Sequence, residues 1–416
     1  MASMDWERWI DDGQMLQTLK DMVAIPSVVG DEGALGDYVG QRLEQMGVAP
    51  IYQAVEEGRT NLCGFYGRPN GGPLLTMNGH LDTVEVCDGW TRPPFEPVEE
   101  DGRLYGLGVC DMKAGLAAML EAFRVIVTSK APLQGRLAFT AVPDEEAYDA
   151  GIYALMTTEI GQSDAAIVGE PYFGTTTLEK DGYTPLGRTG KETLEIVAHG
   201  RSAHAFFPER GVNAVVDMAR FLSELDAVEF LDHPQIGRGN TCVLKIEGGY
   251  ARYSVVVPDT CRVVMNRLTV PGEPQEMVLS QMRELAGSLG LGSRFEIRSI
   301  PPTYRPFVLD RNELILTAYD EAYRSVLGRA PEYGYHHSLN DANVFAGDHG
   351  IPTLVFGPNG ANTHSPDEYV LIDSVRHAVR VYLHTIAGYF ARATEDPGPE
   401  HRGAGSRNMT GRGDGE

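Results

Sequence analysis

Three short apolar runs in this chain stop at ionisable residues, and a fourth is followed by a loop that carries one. Residues 74–77 lead through Asn78 and Gly79 to His80 and Asp82. Residues 136–142 lead to Pro143-Asp144-Glu145-Glu146, and 164–168 to Gly169-Glu170-Pro171. The fourth run, 352–356, precedes a Gly/Pro/Asn loop with His364. Runs of this length bounded by turn residues read as buried strands. One strand ending in an acid is commonplace as a turn. Four together converge on one edge of a sheet, where open α/β sheets place their sites. Between the first two runs, Gly106-Leu107-Gly108 delivers Asp111 at the start of a periodic segment, 112–128, that reads as a helix.

Helical periodicity over 14–24 and 33–46 precedes the first run, and helices and strands interleave thereafter, which is the α/β pattern. Between about 180 and 300 the order changes, with strands over 192–198, 241–246 and 262–270 and helices over 211–225 and 275–289. A last helix is expected over 373–392, and the Gly/Pro-rich, charged residues 394–416 read as a disordered tail. At 416 residues the chain is long enough for two or three domains. Its net charge of -23 argues against nucleic acid or an anionic membrane as partner. No apolar run of 18 residues and no signal-peptide pattern occurs, so a cytoplasmic protein is expected. Five cysteines, at 63, 87, 110, 242 and 261, form no CxxC pair and read as reduced thiols. Cys110 adjoins Asp111 but reads as a small core residue.

The residues at the strand ends make a coherent donor set. His80, Asp111, Glu146, Glu170 and His364 are N and O donors of the kind that zinc, cobalt or manganese accept. Two divalent ions balance three carboxylates and one bridging hydroxide. Five side chains serve two metals with open positions only if one carboxylate bridges, and such a site makes a nucleophile from water. Asp82, two residues past His80, is placed to accept that ring's second N–H. Glu145, beside a ligand but left over, is the natural general base.

These segments resemble the M20 family of metallopeptidases and amidohydrolases, which includes acetylornithine deacetylase, succinyl-diaminopimelate desuccinylase, aminoacylase and glutamate carboxypeptidase. The matching pieces are Gly79-His80-Leu81-Asp82-Thr83-Val84, Trp90 with Pro94-Phe95, Gly108-Val-Cys-Asp111-Met-Lys-Ala-Gly115, Asp144-Glu145-Glu146, Gly169-Glu170-Pro171 and Thr363-His364-Ser-Pro-Asp-Glu-Tyr369. They follow the family's order along nearly the whole chain. The resemblance implies a discontinuous, zinc-peptidase-like α/β catalytic domain, 1–179 and 301–393, with an inserted α+β, ferredoxin-like dimerisation domain at 180–300. It implies that His80, Asp111 and Glu170 hold one ion and Asp111, Glu146 and His364 a second, zinc or alternatively cobalt or manganese. Asp111 would bridge, and its peptide to Met112 would be cis. Glu145 would deprotonate the water and protonate the leaving amine, and Asp82 would orient His80.

Within the insert, Gly200-Arg-Ser-Ala-His204 resembles the segment whose histidine reaches a partner's active site, so a homodimer is implied, with His204 stabilising the oxyanion. Arg188 and Arg267 match positions that bind a substrate carboxylate. Asn340 falls where relatives carry a substrate loop before an acidic residue, here Asp341. His336 and His337 beside it read equally as pocket lining or as solvent-facing. Two departures bear on the substrate: Val255 stands where relatives carry Asn, and Asp181-Gly182 replaces a common Arg-Gly pair. The expected function is hydrolysis of the amide of a small N-acyl amino acid, of the deacetylase and desuccinylase type. A dipeptidase or carboxypeptidase with the same centre is the alternative. A non-catalytic binding protein for an amino-acid derivative is the third reading, although such a protein has no need of Glu145 with all five ligands.

Overall fold

The computed structural model describes residues 5–69, 71–171, 182–252 and 255–395. The departure at Asp181 and the tail beyond Glu395 lie outside the described residues. Helix α1, Asp12–Ala24, opens on Asp11, whose side chain accepts from the Gln14 N–H, and buries Met15, Leu19, Met22 and Val23 on one face. Helix α2, Gly33–Gln45, follows, then strands β1, Ile51–Glu56, β2, Arg59–Gly67, and β3, Leu74–His80. Helix α3, Ala114–Thr128, is buried almost all round, as a helix between sheet and outer helices must be. Strands β4, Arg136–Val142, and β5, Ala165–Val168, come next.

Strand β6, Thr184–Arg188, is followed by β7, Gly190–His199, helix α4, Ala214–Ser223, β8, Thr241–Gly248, β9, Thr260–Thr269, helix α5, Gln275–Ser288, and β10, Arg294–Tyr304. The chain ends in β11, Phe307–Val308, helix α6, Leu314–Leu327, β12, Tyr333–His336, β13, Thr353–Val355, and helix α7, Ile372–Glu395. The last helix therefore carries the chain into the first residues of the expected tail.

The main sheet has the order β1-β2-β4-β3-β5-β13, and its last four strands are mutually parallel. Both faces are covered. Leu137, Phe139 and Ala141 of β4 join one core with α1, α2, α3, α6 and α7, while Ala138 and Val142 join the core on the opposite face. A second sheet, ordered β8-β9-β7-β10 and antiparallel throughout, packs on α4 and α5 around Leu194, Ile196, Phe221 and Val263. Its β-α-β-β-α-β order with the last strand beside the first is the ferredoxin-like arrangement. This sheet starts at Gly190. The preceding strand β6, which the expected insert at 180–300 would include, pairs instead with β11 and β12.

Candidate metal centre

Register brings the polar strand ends level. His80 at the end of β3 lies opposite Val142 of β4, three residues before Glu145, and Asn78 lies opposite Val168 of β5, two before Glu170. Asp111 arrives from the other side, in a non-helical turn that enters α3 across a cis peptide to Met112. Two close approaches permit this. Gly108 has φ +69°, and a Cβ there would stand 2.2 Å from the Thr83 side chain; a Cβ on Gly115 would stand 1.8 Å from the Gly169 carbonyl oxygen.

The two oxygens of Asp111 face different histidines. Oδ1 is 3.3 Å from His80 Nε2 and Oδ2 is 3.4 Å from His364 Nε2. Glu170 stands 3.7 Å from His80 and Glu146 2.8 Å from His364. The ligand atoms of His80, Asp111 and Glu146 lie within 4.8 Å of one another, as do those of His80, Glu145 and Glu170. Of these two groupings with the pairwise contacts, the contacts discriminate better, because they assign each histidine its own glutamate and leave Asp111 shared.

Electrostatics follows from crowding. Burial, and after it the charge of Glu170, pushes the Glu145 carboxyl well above the usual range, and burial with Asp111 does the same to Glu170. Burial also opposes ionisation of Asp111, but hydrogen bonds to His364 and His80 outweigh it and hold that carboxyl below the usual range. The hydrogen bonds to Asp111 and Glu146 push His364 up to about 10. Four carboxylates and two imidazoles thus converge on a small volume. This donor set fits two divalent cations, whose charge would relieve the mutual repulsion of the carboxylates.

Asp82 acts differently from the expectation that its carboxylate would meet His80. The His80 Nδ1 is 3.0 Å from the Asp82 backbone carbonyl and 3.6 Å from its carboxylate. The carboxylate accepts instead from the backbone N–H groups of Glu145, at 3.2 Å, and Glu146, at 2.8 Å. Arg188 is buried close to the acids. Its Nη1 donates to Ser338, while Nε and Nη2 have no partner among the described residues.

Three expected site residues do not join the cluster. Arg267, expected to bind a substrate carboxylate, is fully buried, pairs with Glu273 at 2.6 Å, donates to the Leu268 carbonyl and lies over the Phe230 ring. Asn340 caps a turn, its Oδ1 accepting from the Ala342 N–H. His204 sits on an exposed loop of the second sheet. Of the two open histidines, His337 meets the Ile236 carbonyl and His336 meets Ser338, so both are engaged within the chain.

Two supporting residues carried no signal of their own in the sequence. Glu368 is buried and accepts from the N–H groups of Gly108, Cys110 and Asp111, so it holds the turn that presents Asp111. Arg59 binds Glu32 and Asp144 together, and Asp144, at φ +77°, opens the loop of Glu145 and Glu146. Glu368 falls inside the motif around His364, which was the available hint.

The profile of peptidase family M20/M25/M40 matches residues 76–388. A succinyl-diaminopimelate desuccinylase from Methylorubrum extorquens is 27% identical over 395 residues, covering 92% of this chain and 100% of its own. Among solved structures, a tripeptidase from Staphylococcus aureus superposes with a TM-score of 0.73 at 22% identity, over 92% of this chain and 100% of its own. A dinuclear metal-binding peptidase from Bacillus subtilis does so with a TM-score of 0.66 at 15% identity, over 91% and 98%. Those two proteins share the α/β architecture described above.

Proposed function

We propose, from the premise that this chain belongs to peptidase family M20/M25/M40, that it hydrolyses the amide of a small N-acyl amino acid to a carboxylate and a free amine. Membership makes it a metal-dependent hydrolase of amide bonds. The observation that carries the chemistry is Asp111, one carboxylate turned to two histidines, each with its own glutamate, and Glu145 beside them; the choice of an N-acyl amino acid is supported by the likeness to a succinyl-diaminopimelate desuccinylase.

In this reading His80, Asp111 and Glu170 hold one ion, and Asp111, Glu146 and His364 the other. Zinc suits the donors, with cobalt or manganese as alternatives. When bound, the ions supply a water of lowered pKa and polarise the scissile carbonyl. Glu145 takes a proton from the attacking water as the C–O bond forms and gives it to the nitrogen as the C–N bond breaks. The Asp82 carbonyl requires the His80 Nδ1 to carry the proton, which leaves Nε2 as the donor atom. The Asp82 carboxylate, through two backbone N–H groups, fixes where Glu145 and Glu146 stand. The free Nε and Nη2 of Arg188 form one edge of a guanidinium, the fork that fits a substrate carboxylate.

His204 would act from a partner subunit. Its Nδ1 accepts from the Phe206 N–H, so the neutral ring carries its proton on Nε2 and can donate to an oxyanion. A homodimer is supported by edge strand β8, which exposes Val243, Leu244 and Ile246 and has one side without a strand neighbour among the described residues.

The test uses protein stripped of metal and then reconstituted with zinc, cobalt or manganese, assayed on N-acetyl amino acids, N-succinyl amino acids and dipeptides. Metal-dependent release of an amine from an N-acyl amino acid is expected. Release from dipeptides alone would replace this reading with a dipeptidase, and no release with two metals bound would end it.

A further inference from the structure

The most exposed large apolar side chain among the described residues is Phe206, at 79%, and Phe207 beside it is 48% exposed. Both belong to the loop of His204, whose ring centroid lies 5.0 Å from that of Phe206 and 6.0 Å from that of Phe207. The loop is anchored. His204 makes a bridge to Val256, the Ala205 N–H donates to the Val255 carbonyl, and the Phe206 N–H donates to the His204 ring. Two phenyl rings are therefore held in water by an ordered scaffold, and an apolar patch kept open in this way marks a surface that something covers.

Two observations indicate what covers it. The first is reach: if His204 donates to the reacting oxygen, phenyl rings packed against its imidazole come within a side chain's length of the scissile amide. The second is charge. Of the two guanidinium groups expected to bind substrate carboxylates, Arg188 has an edge without a partner among the described residues, but Arg267 is paired with Glu273, both fully buried. Arg210, which lies over the Phe207 ring, has Glu209 beside it. Of those two guanidinium groups, only Arg188 has an edge unoccupied among the described residues, and the phenyl rings offer an apolar wall.

We propose that Phe206 and Phe207 line an apolar subsite, so that this enzyme prefers a monocarboxylate substrate bearing an aromatic or branched apolar group next to the amide over one with a dicarboxylate acyl group. The inference rests on the reading of His204 given under Proposed function. It departs from the substrate in the name of the Methylorubrum relative.

The experiment measures kcat/KM of the metal-loaded enzyme for N-acetyl-L-phenylalanine, N-phenylacetylglycine, N-acetylglycine and N-succinyl-diaminopimelate, in the wild type, Phe206→Ala, Phe207→Ala and the double variant. The wild type is expected to favour at least one aromatic substrate over N-acetylglycine by about tenfold or more, and to favour it over the succinyl compound. In the double variant that aromatic-to-glycine ratio should collapse toward one, mainly through KM. Because the readout is a ratio, a variant that merely folds less well leaves it unmoved. A wild-type preference for the succinyl compound, or an unchanged ratio in the double variant, overturns the proposal. So does a loss of dimer by light scattering at constant ratio, which would assign the phenyls to the subunit contact. His204→Ala separates the two readings. An equal fall on all four substrates supports the role of His204 whichever way the ratio falls, and no fall removes that role and this inference with it.

Discussion

Glu145 and Glu146 are neighbours in the chain with unlike surroundings. Glu146 touches His364 at 2.8 Å, whereas the charge that weighs most on Glu145 is that of another carboxylate, Glu170. A ligand needs a cation beside it, and a base needs a free lone pair near the reacting water. Glu145→Gln keeps the shape and removes the basic oxygen. Turnover should fall by about 10²–10⁴ while metal content stays that of the wild type, measured by steady-state kinetics alongside elemental analysis. Turnover within a factor of a few of wild type would remove Glu145 from the mechanism. At this scale the donor set was legible because few residue types bind metal, and here they stand where apolar runs stop. Arg267 was not legible. Its partner Glu273 lies only six residues on, but nothing in the spacing says that the intervening turn buries both side chains, with Arg267 over the Phe230 ring. The role of Glu368 was hidden for the opposite reason, since its three N–H donors lie 257 to 260 residues away.

Elements place these residues through contact between backbones. Where α3 begins, Gly115 approaches the end of β5 so closely that a Cβ would lie 1.8 Å from the Gly169 carbonyl oxygen, one residue before Glu170. No rotamer change relieves a clash with backbone. Gly115→Ala should therefore cost about 1–3 kcal/mol of stability, seen as a lower denaturant midpoint, and should weaken metal binding by shifting Glu170 relative to Asp111. A variant with wild-type stability and metal affinity would show that α3 does not set this spacing. Strands β3, β4 and β5 were readable within a few residues, because they are buried on both faces and stand out as unbroken apolar runs, whereas β1 and β2 of the same sheet were not read. The start of the second sheet was less readable. Strand β6 is short, Thr-Pro-Leu-Gly-Arg, and carries little apolar pattern of its own, so only its pairing with β11 and β12, more than a hundred residues later, assigns it elsewhere.

For the whole molecule the proposal to test is that a histidine outside the cluster serves it from a second copy. His204 belongs to a loop of the second sheet, the metal donors to the first, and edge strand β8 exposes Val243, Leu244 and Ile246. If His204 acts across a dimer, each competent site draws Glu145 from one chain and His204 from the other. Two inactive variants then complement each other. In a mixed dimer of Glu145→Gln and His204→Ala, the site built on the His204→Ala chain has its own Glu145 and receives the intact His204 of its partner. The other site lacks both. Random reassortment makes half of the dimers mixed, and each has one working site, so an equal mixture should recover about one quarter of wild-type activity per chain. The measurement is activity after the two proteins are mixed, dissociated and reassembled, compared with each variant treated alone. If His204 acts within its own chain, no mixture has a complete site and activity stays at the level of the separate variants. Recovery near one quarter requires both a dimer and a site shared between its chains, so this one measurement tests the assembly and the role of His204 together.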